Sequence, residues 1–186
     1  TLEVINLDTT RSEKLVQNFL QREPKYKREI REFTGTFETT PDKIFPLLCP
    51  AREADWIPGW DSDLIYTSSG YAEDKCVFRT KKSNSAGESL WTFTGFKLNE
   101  YIEFVRFQQD MLLHCKISLS QNNDGTTTLT WKTISTSLSE KGNKEIEKMV
   151  DNKQHKPIIH VMDYYLKNGK MISKHSLIKN KLHAEH

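Results

Sequence analysis

The chain has 186 residues, with 27 Lys or Arg against 25 Asp or Glu and a formal net charge of +2. That length fits one domain able to bury roughly two-thirds of its unfolded surface. The near balance of charge argues against general nucleic-acid binding, which needs a concentrated basic face.

The three cysteines, Cys49, Cys76 and Cys115, are far apart and lack a Cys-x-x-Cys spacing. They read as reduced, buried thiols of a cytoplasmic protein, not as a disulfide framework or a zinc site. No apolar run approaches the ~18 residues of a membrane span. No leader is visible after Thr1, and one ahead of it is not excluded.

From Arg11 to Arg22, Leu15, Val16, Phe19 and Leu20 repeat at helical spacing, and Pro24 ends that helix. Ile30 to Thr39 alternates as a strand, with Phe33, Gly35 and Phe37 on one face. Thr40-Pro41-Asp42 then opens a short helix. Its apolar side is Ile44, Phe45, Leu47 and Leu48, and Pro46 and Pro50 keep it to a couple of turns. A second short helix-compatible run leads into Trp56-Ile57-Pro58-Gly59-Trp60. Proline and glycine fix that turn, and two tryptophans four apart want a large apolar neighbour.

From Asp63 to Ser137 strand follows strand, joined by short turns that include the hairpin signal Asp124-Gly125. Cys76, Phe78 and Thr80 share a face; so do Trp91, Phe93 and Gly95, with Phe96 on the opposite side. Ile102, Phe104 and Arg106 share another, followed by Met111, Leu113, Cys115, Ile117 and Leu119, then Leu129, Trp131 and Thr133. Such short loops predict a meander of six antiparallel strands. After Ser139, a candidate cap, the period turns helical through Ile146, Met149 and Val150, with Gly142 weakening the first turns. A polar stretch and Pro157 break it before Ile158, Val161, Met162 and Tyr165 resume the stripe. The tail from Ser173 is basic.

The expected class is therefore α+β. A curved antiparallel sheet of seven strands wraps a long C-terminal helix, with two short helices after the first strand and an extra N-terminal helix.

This order resembles the helix-grip fold of the START-like, or SRPBCC, superfamily, particularly its polyketide cyclase/dehydrase-like proteins. The likeness rests on Thr39-Thr40-Pro41-Asp42-Lys43-Ile44-Phe45, Glu53-Ala54-Asp55-Trp56-Ile57-Pro58-Gly59-Trp60, Ile102-Glu103-Phe104-Val105-Arg106 and the run from Asp124 to Trp131. It covers about residues 30 to 170 and divides the chain into a helical extension (1–29), a helix-grip domain (30–172) and a basic tail (173–186). It implies a deep, mostly apolar cavity between sheet and long helix. It does not fix a function, since the superfamily hosts lipid carriers, receptors, cyclases and co-chaperones.

Arg106 is the sharpest candidate. An inward arginine needs a ligand carboxylate or phenolate, or an internal acid such as Asp55 or Glu53. His160, with Tyr164 one turn on, offers a proton donor and an orienting hydroxyl facing the cavity. Trp56, Trp60, Trp91, Phe93, Phe104 and Trp131 suit the wall of a pocket for a flat or aliphatic ligand, and equally an aromatic core. No His/Asp/Glu cluster has metal-ligand spacing, and no cofactor motif or nucleophilic triad is visible.

The reading is a carrier or sensor of a small apolar, aromatic or lipid-like ligand. A cyclase-like enzyme using the same cavity is one alternative, and a co-chaperone-like interaction module is another. Catalytic residues stay unassigned, and no metal, cofactor, nucleic acid or membrane span is expected. The N-terminal helix can pack on its own domain or on a second copy, so a homodimer stays open.

Overall fold

The computed structural model describes residues 13–14, 23–84, 86–151 and 157–173. The helix expected from Arg11 to Arg22, the break before Pro157 and the basic tail lie wholly or mostly outside the described residues.

The elements run β1 (Arg28–Phe37), α1 (Pro41–Ile44), a 3-10 turn (Phe45–Leu48), α2 (Pro50–Glu53), β2 (Ser62–Tyr66), β3 (Val77–Thr80), β4 (Ser89–Lys97), β5 (Tyr101–Gln108), β6 (Met111–Gln121), β7 (Thr127–Ser137), α3 (Glu140–Asp151) and α4 (Pro157–Asn168). Seven antiparallel strands form one sheet in the order β1-β7-β6-β5-β4-β3-β2. The last six make the expected meander. The first strand closes the sheet by pairing with the last, from Arg28 opposite Thr136 to Phe37 opposite Thr127. The helices cover one face, and the chain has the helix-grip fold. Among the described residues no helix is long and apolar enough to cross a membrane.

Alternation fixes the inner face as the sequence implies. Phe37, Cys76, Phe78, Trp91, Phe93, Ile102, Phe104, Cys115, Ile117, Leu119 and Leu129 all belong to one buried cluster with Val161 and Met162 of α4. One strand departs from the pattern. In β4 the register slips between Phe93 and Gly95, so Gly95 opposes Glu103 and Phe96 opposes Ile102. The bulge reverses the parity. Phe96, expected outside, packs edge-on against Phe45 with ring centroids 5.3 Å apart.

Two glycines set how closely the helices approach. A Cβ on Gly35 of β1 would sit 2.5 Å from Cγ2 of Ile159, so the missing side chain is the space in which α4 lies on the sheet. A Cβ on Gly142 would overlap the main-chain carbonyl of Asp110 in the β5–β6 turn. Gly142 is thus a contact point and not merely a weak helix former. Ser139 caps α3 as expected, its Oγ accepting from the Gly142 N–H at 3.1 Å and donating to Asp110 Oδ1 at 2.7 Å.

Candidate functional site

Helix α2 is one turn long because Pro50 starts it and the Trp-Pro-Gly-Trp turn follows. Within that turn, residues three apart share a side. Arg52 and Asp55 face out and pair, Nε to Oδ2 at 2.6 Å. The Tyr165 hydroxyl of α4 lies beside the same guanidinium. Glu53 and Trp56 face in. Trp56 is fully buried, and its indole N–H donates to the Leu47 carbonyl at 2.8 Å. Trp60 is half-buried, donates to the Pro50 carbonyl at 2.8 Å and meets Trp91 edge-on at 5.9 Å. Gly59, at φ 78°, makes the turn that lets both indoles reach back onto the short helices. Trp56 is a core plug, and Trp60 is the member of the pair that meets the aromatic cluster on the sheet's inner face.

That cluster runs across β3, β4 and β5. Phe78 stacks on Trp91 at 5.3 Å, Trp91 tilts against Phe104 at 5.5 Å, and Phe104 stacks on Phe93 at 5.9 Å. Trp131 is only partly buried and stacks on Phe33 at 5.8 Å. Its side chain lies near the Cys115 thiol.

Arg106 is on the inner face, as the alternation of β5 requires. Its guanidinium lies over the Trp91 ring, 4.8 Å from the centroid. Nε donates to Ser89 Oγ at 3.0 Å, and Nη2 donates to the Ala86 carbonyl. Neither expected acid is its partner, for Asp55 is held by Arg52 at the surface and nothing couples Glu53 to it. All the named partners are neutral, so the positive charge stands uncompensated and burial lowers the pKa to about 10.

His160 corrects an expectation. It lies on the exposed side of α4, whereas Tyr164, one turn further, is partly buried against the core. The two do not face the interior together. His114 is outside, as the alternation of β6 implies. Asp61, the other acid beside the tryptophan turn, pairs with Lys81 at 3.8 Å on the surface.

The residue that the sequence pass undervalued is Glu53. It entered there only as a partner for Arg106. Burial raises its carboxyl pKa to about 8, although the residue as a whole is only partly buried. Burial raises the pKa of the Cys115 thiol in mid-strand on the inner face of β6, and the Glu53 carboxyl raises it further. Beside α2 an apolar crevice of about 210 Å³ runs between the short helices and β4–β5, with Arg52 on its rim.

No protein-family model matches the sequence, and no curated protein matches it. Solved structures do match in fold. Norcoclaurine synthase from Thalictrum flavum is similar over 77% of this chain and 88% of its own, with a TM-score of 0.57 at 9% identity. The Zhui aromatase/cyclase from Streptomyces sp. R1128 is similar over 78% and 100%, with a TM-score of 0.53 at 10% identity. Ara h 8.0201 is similar over 76% and 100%, with a TM-score of 0.52 at 14% identity.

Proposed function

We propose that this protein binds a small apolar or aromatic ligand between the sheet and α4, with Arg106 holding an anionic end of it. The observation that supports this is the guanidinium itself. It sits on an apolar inner face, against an aromatic ring, with its charge answered only by neutral oxygens. Keeping such a charge desolvated is costly, and a ligand carboxylate or phenolate offsets the cost. Trp60, Trp91, Phe93, Phe104 and Trp131 supply the flat surfaces, and Tyr164 closes the side under α4.

Carriage or sensing is favoured over catalysis. Catalysis needs two titratable groups converging with complementary protonation. Glu53 and Cys115 do converge, but burial pushes the thiol well above its ordinary range, so it remains protonated and is no base.

The test is binding of phenylbutanoate and of its neutral amide, read by titration calorimetry. Arg106→Leu weakens the carboxylate by about tenfold and leaves the amide unchanged. Equal losses for both probes would refute the anchoring role. Native mass spectrometry of the protein from its own host, showing an apolar metabolite released on denaturation, supports the carrier reading. A dry, filled interior overturns it.

A further inference from the structure

Among the described residues β1 has a strand partner on one side only, at one end of the sheet. It runs ten residues without a proline, in unbroken register with β7. The Ser137 N–H donates to the Lys27 carbonyl at 2.9 Å, so the odd-numbered residues of β1 turn their main-chain groups to β7. Arg28, Ile30, Glu32, Thr34 and Thr36 turn theirs to the open edge. We propose that this edge is a homodimer interface, where β1 of a second copy pairs antiparallel about a two-fold axis at Ile30. The inference is independent of the ligand site.

The order of charges along the strand selects both the occupant and the register. Arg28-Glu29-Ile30-Arg31-Glu32 is complementary to its own reverse. With the two Ile30 residues opposite each other, Arg28 meets Glu32 of the second copy and Glu29 meets its Arg31, each twice by symmetry. Each pair also shares a face of the sheet, Arg28 and Glu32 on the outer side, Glu29 and Arg31 on the inner. An axis one residue away sets Glu29 on Glu29 or Arg31 on Arg31. The main chain agrees with the charges. Arg28, Ile30 and Glu32 all offer N–H and C=O to the partner, and facing pairs exchange two bonds each, about six in all.

Ile30 is the apolar centre of this pattern. It is 59% exposed, against the usual burial of isoleucine, and its neighbour across β7 is Ile134. Pairing about Ile30 aligns four isoleucines in one row across the axis, with charge pairs on either side. Contacts within the chain hold the outer charges loosely. Arg28 Nε donates to the neutral Thr136 Oγ1 at 2.9 Å, and Glu32 lies 3.8 Å from Lys132 at the surface. A guarded edge carries charges that repel a second copy, whereas these match one.

Sedimentation velocity of the full chain tests this, wild type passing from monomer to dimer as its concentration rises to about 1 mM. Glu29→Arg and Arg31→Glu each set like charges opposite one another at both symmetric positions, and each weakens the dimer roughly tenfold or more. Mixed in equal amounts, the two variants are complementary in both directions and form a heterodimer at near wild-type affinity, which also shows that both chains are folded. Ile30→Cys joins two chains by a disulfide on mild oxidation, since facing Cα atoms lie about 5.5 Å apart. Thr34→Cys, about 27 Å from its symmetry mate along the strand, does not, and Cys49, Cys76 and Cys115 are buried. A wild type that is monomeric throughout overturns the proposal, whether its edge is bare or covered by another segment of the same chain. A dimer indifferent to the charge reversals, or one that crosslinks at position 34 and not at 30, overturns it as well.

Discussion

Arg106 and Glu53 both turn an ionisable group toward the apolar face of the sheet, and the fold treats them differently. Arg106 sits on a strand whose neighbours are fixed by register. Ser89 and Ala86 come from the loop and strand beside it, and Trp91 is its direct cross-strand partner. It is therefore tied down before any ligand arrives. Glu53 ends a single helical turn, and that turn offers its outward pair everything and its inward acid nothing. An anchor built into a ladder is organised by the sheet. One carried on a turn is held by no such ladder.

Four substitutions probe that contrast. The largest effect belongs to Glu53. Its folded pKa is raised, so between the ordinary carboxylate pKa near 4.5 and about 8 the folded state holds a proton that the unfolded state has lost. Stability therefore falls as pH rises through that window. Glu53→Gln removes the slope: urea midpoints lie close to wild type at about pH 5 and show a gain of at most about 4–5 kcal/mol at about pH 8.5. A wild type without that slope would mean that the carboxyl is solvated.

Gly35→Ala comes next. A methyl there meets Ile159 and lifts α4 from the sheet, at about 1–3 kcal/mol by overpacking. A lower melting temperature, with faster hydrogen exchange along α4, is expected. Arg106→Leu costs about 1–2 kcal/mol and loosens the loop at residues 86–89, read by the amide exchange of Gly87. Little change at that loop would mean that the arginine is not tied as described. Asp55→Ala breaks a half-exposed surface pair and moves the midpoint by less than about 1 kcal/mol. A larger loss would make the outward pair, and not the inward acid, the organising feature of α2.

Much of this arrangement was legible in the chain. Strict alternation placed Ile102, Phe104 and Arg106 inside and His114 outside, because a buried face leaves a strand one register. Pro41 and Ser139 marked the starts of their helices for the local reasons that the structure displays, a proline at the first position and a serine cap, whereas the Thr40 hydroxyl makes no cap bond and donates to the Asp42 carboxylate. Other features depend on long-range geometry. The bulge that turns Phe96 inward leaves no mark except Gly95, and a glycine has many uses. The side of α4 that exposes His160 depends on where the helix docks, and that is set by Gly35 on a distant strand. Glu53 was hidden for another reason. A single turn is too short to show a helical period, so only the i, i+3 pairing of Glu53 with Trp56, set against Arg52 with Asp55, could have exposed it.

The closure of the sheet has a consequence for how the molecule comes into being. Arg28 and Thr136, which hydrogen-bond through their side chains at 2.9 Å, are 108 positions apart in sequence. During synthesis β1 emerges first and must wait for the last strand before any neighbour satisfies its backbone, while the six-strand meander can zip hairpin by hairpin. The first strand thus pairs last, and its closure pays a loop entropy that the hairpins avoid. A circular permutant that moves β1 to follow β7 through a short turn makes that contact local, and folds faster into the same sheet.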